Sequence, residues 1–229
     1  MIKTKEISIL VKQLGVTPVD VAKYISRGSS DIPGLLFDIV EKEIRRIENE
    51  ELYMAYLPFS AKMDNDQLKI KGINFQTGDE VAKMLSNIES IALFACTVSE
   101  KLNTKLNLYN NKEQFTEAYI ADIIGTKIVE KSLEILYQQL QTDIKKYDLY
   151  LTNTISPGNC GWPVEEQKKL FQLFPENYLG ISLNESGMMH PVKSLSGIIG
   201  VGKSVKFKHT DCEQCASKNC MYREAPFKK

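Results

Sequence analysis

Three cysteines near the carboxyl end of the chain have a spacing suited to metal binding. They form the pattern Cys212-x2-Cys215-x4-Cys220, and Cys-x2-Cys is the step at which two thiolates chelate one tetrahedral ion. A fourth ligand could be Cys160, His209 or a nonprotein ligand at an open position. Zinc and an iron–sulfur cluster both accept such a set of sulfurs. The sequence therefore predicts a metal site of one of these two kinds, against the alternative of a tail with unligated thiols.

A second group of residues has the features of a binding surface built from main chain. Pro157 and Gly158 form a turn in which the missing Cβ of glycine lets a ligand approach the backbone, and Gly197 can do the same from a neighbouring strand. Glu185 and Glu130 are the acids available to face a positively charged ligand. The plainer interpretation is that Glu185 caps a turn and Glu130 is a solvated helix residue, since charged side chains are mostly exposed.

Three stretches, in this order along the chain, carry a family resemblance. They are residues 156–163, 183–191 and 194–197, with the sequences SPGNCGWP, LNESGMMHP and SLSG. Together they resemble the activation module of cobalamin-dependent methionine synthase, in its stand-alone form. Upstream, ALFACTVSEKL resembles the strand-into-helix segment of that family, and Asp122 and Glu130 keep the spacing of an acidic pair on its long helix.

The resemblance implies a role for these stretches. In the family, a Pro-Gly turn, a Thr-Glu-Ser segment and a Ser-x-Ser-Gly segment fold around the S-adenosylmethionine site, beside the face that meets the corrinoid. Carried over residue by residue, the implied cofactor-binding residues are Glu130, Ser156, Pro157, Gly158, Asn159, Glu185, Ser186, Ser196 and Gly197.

The implied function is reactivation of a corrinoid-dependent methyltransferase. The protein would dock on the cobalamin protein and present S-adenosylmethionine for reductive methylation, with an external electron donor reducing the cobalt. Such catalysis is positioning, because the cobalt is the nucleophile and the cofactor carries the chemistry. An accessory subunit without catalytic residues of its own is therefore expected. Two alternatives stay open: a corrinoid-protein-binding partner or chaperone without S-adenosylmethionine, and a small redox protein that uses the cysteine cluster.

The sequence departs from the family pattern around the Pro-Gly turn. Thr154 stands where the family has an arginine that contacts the methionyl carboxylate, and Asn159 stands where it has a tyrosine. A threonine forfeits a charge-assisted pair, whose hydrogen bonds are about twice as strong as neutral ones. Three explanations are open. Another basic residue such as Lys193 supplies the charge, S-adenosylmethionine binds weakly, or the protein recognises a corrinoid partner without the nucleoside. Two milder changes are Asn184 for threonine and His190 for tryptophan.

The helices and strands that must position these residues can be predicted from the sequence. Their order indicates an α+β fold with a largely antiparallel mixed sheet flanked by helices. Hydrophobic periodicity predicts helices at residues 18–26, 32–47, 79–87, 112–142 and 164–174, and strands at residues 52–60, 68–75, 90–98, 148–152, 178–183 and 195–201. Gly125 lies inside the longest helix, where it costs about 1 kcal/mol relative to alanine. That cost indicates that something packs close to it.

Three regions are expected, joined into one compact unit. Residues 1–80 form an N-terminal helical and hairpin region with weak resemblance to the family, residues 81–205 form the activation-domain-like core, and residues 206–229 form the cysteine-rich tail.

Composition limits the partners and the location. Lysine plus arginine equals aspartate plus glutamate at 29 each, so no broad field attracts nucleic acid. No apolar run approaches the roughly 20 residues that a bilayer demands, and the start of the chain does not read as an export signal. The expected location is the cytoplasm, where the five cysteines would stay reduced.

Overall fold

The structure is a computed structural model that describes residues 2–25, 34–109 and 113–207. Its helices are α1 (Pro18–Ile25), α2 (Gly34–Ile47), α3 (Gly78–Met84), α4 (Glu100–Leu106), α5 (Phe115–Lys145) and α6 (Gln167–Phe171). Its strands are β1 (Lys5–Leu10), β2 (Glu51–Asp64), β3 (Gln67–Ile70), β4 (Ile73–Gln76), β5 (Ser90–Val98), β6 (Tyr150–Ile155), β7 (Ser182–Leu183), β8 (Met189–His190) and β9 (Ser194–Gly202).

One antiparallel sheet forms the centre of the molecule. Its strands follow the order β4-β3-β2-β5-β9-β6, and β1 pairs with β2 on the same side as β3. At 14 residues, β2 is long enough to pair with β1 along its first half and with β3 at its end. Strands β7 and β8 form a separate two-stranded hairpin. The predicted α+β class with a largely antiparallel sheet is confirmed.

Both faces of the sheet are buried, because successive residues of a strand point to opposite sides. One face packs against α1, α2, α4 and α5, with Met54, Phe94 and Ile199 in that core. The other face packs against α3, α6 and the turn before α6, and its core includes Phe75, Leu93, Trp162, Leu170 and Ile198. The predicted strand at residues 90–98 is buried on both sides, as its continuous apolar run indicated.

A pair of side chains caps the start of α1. The Asp20 main-chain N–H donates to Thr17 Oγ1 at 3.2 Å, and the Thr17 main-chain N–H donates to Asp20 Oδ2 at 2.9 Å. This reciprocal cap satisfies donors that the first turn of a helix leaves unpaired. The hydrogen bond from the Thr17 hydroxyl also lowers the pKa of the Asp20 carboxyl.

The long helix α5 crosses the sheet and meets α4 at its glycine. A Cβ built on Gly125 would lie 2.9 Å from Leu106 Cδ1 and 2.9 Å from Lys193 Cγ. The expectation that something packs close to this glycine is therefore confirmed. Within the described ranges, none of the helices combines the length and the apolar character needed to cross a bilayer.

Some local structure differs from the prediction. Residues 178–183 were expected as a strand, but Asn177, Leu179 and Gly180 have left-handed φ angles of 53°, 52° and 74°. A strand needs extended angles, so this segment turns, and only Ser182–Leu183 within it forms a strand. The strand β1 was not predicted.

Candidate functional site

Ser196, on β9, is where the three motif stretches meet. Ser156 Oγ donates to the Ser196 carbonyl at 2.7 Å, and Ser196 Oγ donates to Met189 Sδ at 3.5 Å. A third bond runs from Gln167 Nε2 to Ser196 Oγ at 2.6 Å. The structure therefore joins residues 156–163, 183–191 and 194–197 through one buried serine. We call Ser156, Gln167, Met189 and Ser196 the serine cluster.

The antiparallel pairing of β6 with β9 produces this meeting. Ile155, the last residue of β6, pairs with Ile198, so the chain that follows it runs beside Ser196 and Gly197. A Cβ on Gly197 would overlap the Ile155 carbonyl oxygen and lie 2.5 Å from Ser156 Oγ. The sequence interpretation left the space beside this glycine for a ligand. In the structure the protein's own turn fills that space.

The Pro-Gly turn itself presents main chain to solvent. Gly158 has a φ of +92°, and the nearest atom to a Cβ built on it would be a Val164 methyl at 3.8 Å. Gly158 N–H donates to the Trp162 carbonyl at 2.8 Å, which closes the turn. Gly158 and Asn159 are exposed, whereas Trp162 is buried. The tryptophan thus belongs to the core, and Gly158 offers open backbone.

Asn184 organises the tip of the β7–β8 hairpin. Its Oδ1 accepts hydrogen bonds from Ser186 N at 3.0 Å, Ser186 Oγ at 2.9 Å and Met188 N at 2.9 Å. Asparagine favours such local side-chain-to-backbone bonds, so the change from the family's threonine keeps a hydrogen-bonding side chain here. Glu185 is exposed at this tip.

The two acids of α5 have different surroundings. Asp122 forms an ion pair with Lys193 at 2.7 Å, directly before β9. Glu130 is exposed and accepts from Lys127 Nζ at 2.8 Å, one turn earlier on the same helix. Its described contact lies on α5, so the structure does not bring Glu130 to the serine cluster.

The charge of Lys193 is already balanced. Besides its ion pair with Asp122, its ammonium donates to Thr126 Oγ1 at 3.0 Å, and its side chain is only 15% exposed. Thr154 pairs with Ile199 on β9 and brings no charge to the turn. Neither residue supplies a free cation for a ligand carboxylate.

Exposed apolar side chains flank this region. Met188 and Val192 are 63% and 65% exposed, on either side of His190. His190 Nε2 lies 3.3 Å from Glu100 Oε2, at the start of α4. Tyr119 is also exposed, one turn before Asp122 on α5. We call Met188, His190 and Val192 the exposed face.

Three cavities lie away from the motif stretches. Two of about 690 and 270 Å³ follow the β6 edge, and one of about 300 Å³ lies between β1 and the end of α5. None of these three is lined by the serine cluster or by Glu185.

The metal prediction falls mainly outside the described part of the chain. Cys212, Cys215, Cys220 and His209 lie beyond residue 207, so the predicted metal site stays a prediction. Among residues 2–25, 34–109 and 113–207, no cluster of three or more histidine, cysteine or acidic side chains could hold a metal. The remaining candidate ligand, Cys160, is half-buried in the Pro-Gly turn.

Cys96, within β5, is a core residue with no exposed surface. Burial raises the pKa of its thiol to about 12, which keeps it protonated and unreactive near neutral pH.

Sequence reasoning missed Gln167. It lies in the polar run Glu165-Glu166-Gln167, and such a run at a helix start is usually solvated. In the structure Glu166 and Gln167 are both buried. The family motifs did not mark this glutamine, and only its bond to Ser196 reveals it.

The chain is similar to known proteins in sequence and in fold. Residues 62–220, more than half of the chain, match the family model described as "Vitamin B12 dependent methionine synthase, activation domain". Among solved structures, the crystal structure of the MetH reactivation domain bound to AdoHcy is similar, with a TM-score of 0.67 and 14% sequence identity. That similarity covers 90% of this chain and 81% of the other, and at this identity it establishes a shared fold. No curated protein sequence matches the chain.

Proposed function

Because the chain belongs to the family of vitamin B12-dependent methionine synthase activation domains, we propose that it supports the reactivation of a corrinoid-dependent methyltransferase. The observation that carries the proposal is the meeting of the three motif stretches at Ser196. Residues that are far apart along the chain are brought into one surface beside the exposed face.

S-adenosylmethionine is the proposed ligand of this surface, and it would supply the methyl group. The solved MetH reactivation domain that shares this fold is bound to AdoHcy, the demethylated form of the same nucleoside. Gly158 offers open backbone to the nucleoside, and the exposed carboxylate of Glu185 is suited to face the positive sulfonium. Asn159 and Ser186, also in the predicted set, are exposed at the same turn and hairpin tip.

The other predicted ligand residues support the surface from behind. Ser156 is half-buried, and Ser196 and Gly197 are buried; all three are engaged in joining β6 to β9. Their proposed role is to hold the turn, whereas Glu130 has the weakest structural support because its described ion pair lies on α5.

The exposed face is the proposed docking surface for the corrinoid-carrying protein. Met188 and Val192 present apolar area at the edge of the motif surface, and buried apolar area drives most protein association. His190 and Glu100 add polar groups at the same edge. Bound there, a partner would bring its cobalt beside the Pro-Gly turn.

A second candidate function is corrinoid-protein binding without the nucleoside. It is favoured by the missing positive charge, since Thr154 is neutral and Lys193 is paired with Asp122. In this case the corrinoid protein would bind the exposed face, and no nucleoside would bind the Pro-Gly turn.

Substitution of Thr154 separates the two candidates. Thr154→Arg places a guanidinium where the family has one, and a hydrogen bond to a charged group contributes about 1.5–3 kcal/mol. We expect tighter binding of S-adenosylmethionine, by about 10- to 100-fold, measured by calorimetric titration. Thr154→Met is the matched control, because it adds length without charge and should leave affinity unchanged.

If neither the unmodified protein nor Thr154→Arg binds the nucleoside at millimolar concentration, while the corrinoid partner still binds, the second candidate holds. Binding by Thr154→Met that equals binding by Thr154→Arg would show that charge is not the missing element.

A further inference from the structure

We propose that Gln167 is a positioning residue, which acts through Ser196 to hold the Pro-Gly turn and the β8 strand in the arrangement that ligand binding requires. The inference rests on the proposed function and extends it to a side chain that the family motifs do not include. Gln167 is buried and does not contact a ligand at the surface. Its effect on ligand binding must therefore be transmitted through Ser196.

Gln167 sets the direction of a chain of hydrogen bonds. Its amide nitrogen can only donate, and it donates to Ser196 Oγ at 2.6 Å. The serine hydroxyl then has its single hydrogen left for another acceptor, which is Met189 Sδ at 3.5 Å. Gln167 thereby orients the hydroxyl that links β9 to the β7–β8 hairpin.

The same serine holds the other motif stretch by its main chain. Its carbonyl accepts from Ser156 Oγ at 2.7 Å, directly before Pro157 and Gly158. A shift of Ser196 would therefore move both the Pro-Gly turn and the hairpin that carries Glu185. Ser196 is the junction, and Gln167 is the support that reaches it from a third element.

The support comes from a fixed point. Gln167 is the first residue of α6, and Glu166 before it is also buried. Glu166 Oε2 accepts from the Gln76 main-chain N–H at 3.3 Å, at the end of β4, and its Oε1 accepts from Lys169 Nζ at 2.8 Å. The start of α6 is thus bound to the sheet on one side and to the serine cluster on the other.

A buried glutamine at this position costs free energy that an apolar side chain of the same size would not cost. Burying an amide is unfavourable unless it is hydrogen-bonded, and ordering a long, flexible glutamine side chain loses conformational entropy. A methionine of similar length would fill the space without desolvating an amide. The amide is therefore best explained by the orientation that it gives to Ser196.

The test replaces Gln167 with methionine in the full chain. Hydrogen–deuterium exchange read by mass spectrometry should show faster exchange, by about threefold or more, in peptides covering residues 156–163 and 183–191. Affinity for S-adenosylmethionine should fall about tenfold. Ser196→Ala should reproduce both effects, and the double variant should be no worse than either single one, because the two residues act through one contact.

Asn103→Leu is the control for a general loss of stability. Asn103 is a buried amide on α4 whose side-chain hydrogen bonds, among the described residues, stay at that helix: it donates to Glu100 Oε1 at 3.3 Å and accepts from Asn107 Nδ2 at 3.1 Å. Its loss should lower the melting temperature without faster exchange in the two motif peptides. Exchange and affinity that stay unchanged in Gln167→Met, or that change equally in Asn103→Leu, would overturn the inference. Faster motif exchange in a protein that binds no nucleoside would keep the positioning role and reject the proposed ligand.

Discussion

Gly197 illustrates how single residues shape the site. It lies opposite Phe94 on β5, and the Ile155 carbonyl and the Ser156 hydroxyl occupy the place where a side chain would begin. The atoms of Ile155 are main chain and cannot move aside cheaply. The glycine therefore permits the close approach of β6 to β9 on which the serine cluster depends.

We predict that Gly197→Ala lowers the free energy of unfolding by about 1–3 kcal/mol, the usual cost of an overpacked core. The measurement is urea unfolding followed by circular dichroism. Gly34→Ala is the matched control, because a Cβ on Gly34 meets no atom within 4 Å and alanine is favoured in helices. An unchanged midpoint for Gly197→Ala would mean that β6 is free to move away from β9.

Sequence reasoning at the residue scale located the motif stretches but not their support. Each of SPGNCGWP, LNESGMMHP and SLSG is a continuous stretch of sequence. All three contain glycine and the first two also contain proline, residues that mark turns in a sequence. Gln167 and Asp122 act through partners that are far along the chain, Ser196 and Lys193. No local pattern marks such pairs, because burial of a polar side chain depends on tertiary contacts.

At the scale of elements, strands with strong periodicity were predictable and weakly patterned segments were not. The run SIALFACTV predicted a strand buried on both faces, and β5 has that burial. Residues 178–183 have strand-like composition, but left-handed angles at Asn177 and Gly180 turn the chain. Predicted helix 164–174 is shorter as well, with α6 limited to Gln167–Phe171.

The β6–β9 pair is irregular in a way that only the structure shows. Its register shifts between Leu151 and Thr154, so the Gly200 main-chain N–H is satisfied by a side chain. It donates to Thr152 Oγ1 at 2.8 Å. Gly200 also leaves room for this threonine, since a Cβ there would lie 2.8 Å from Thr152 Cγ2.

We predict that Thr152→Val destabilises the protein by about 1–3 kcal/mol, the cost of leaving a buried N–H unsatisfied. Valine has nearly the same shape, so the loss would report the hydrogen bond. Thr142→Val, on the exposed side of α5, should change stability by no more than about 0.5 kcal/mol. The measurement is thermal unfolding of both variants. Equal shifts in melting temperature would mean that the hydrogen bond from Gly200 to Thr152 does not stabilise the β6 edge.

At the scale of the whole molecule, one sheet connects the N-terminal region to the motif surface. Strand β2 pairs with β5, and β5 pairs with β9, which carries Ser196. The family match begins at residue 62, inside β2. The α+β class followed from mixed helical and strand periodicities, whereas strand order depends on long-range pairing that one sequence does not reveal.

If this chain serves a corrinoid-dependent methyltransferase, it should promote methyl transfer to the corrinoid of that enzyme. A cobalamin-dependent methionine synthase that lacks its own activation domain would be oxidised to its inactive cobalt state. It would then be incubated with a one-electron reductant and methyl-labelled S-adenosylmethionine, with and without this protein. The account predicts that label appears on the corrinoid only when this protein is present. Label that accumulates at the same rate without this protein, or that never appears with it, would contradict its role in reactivation.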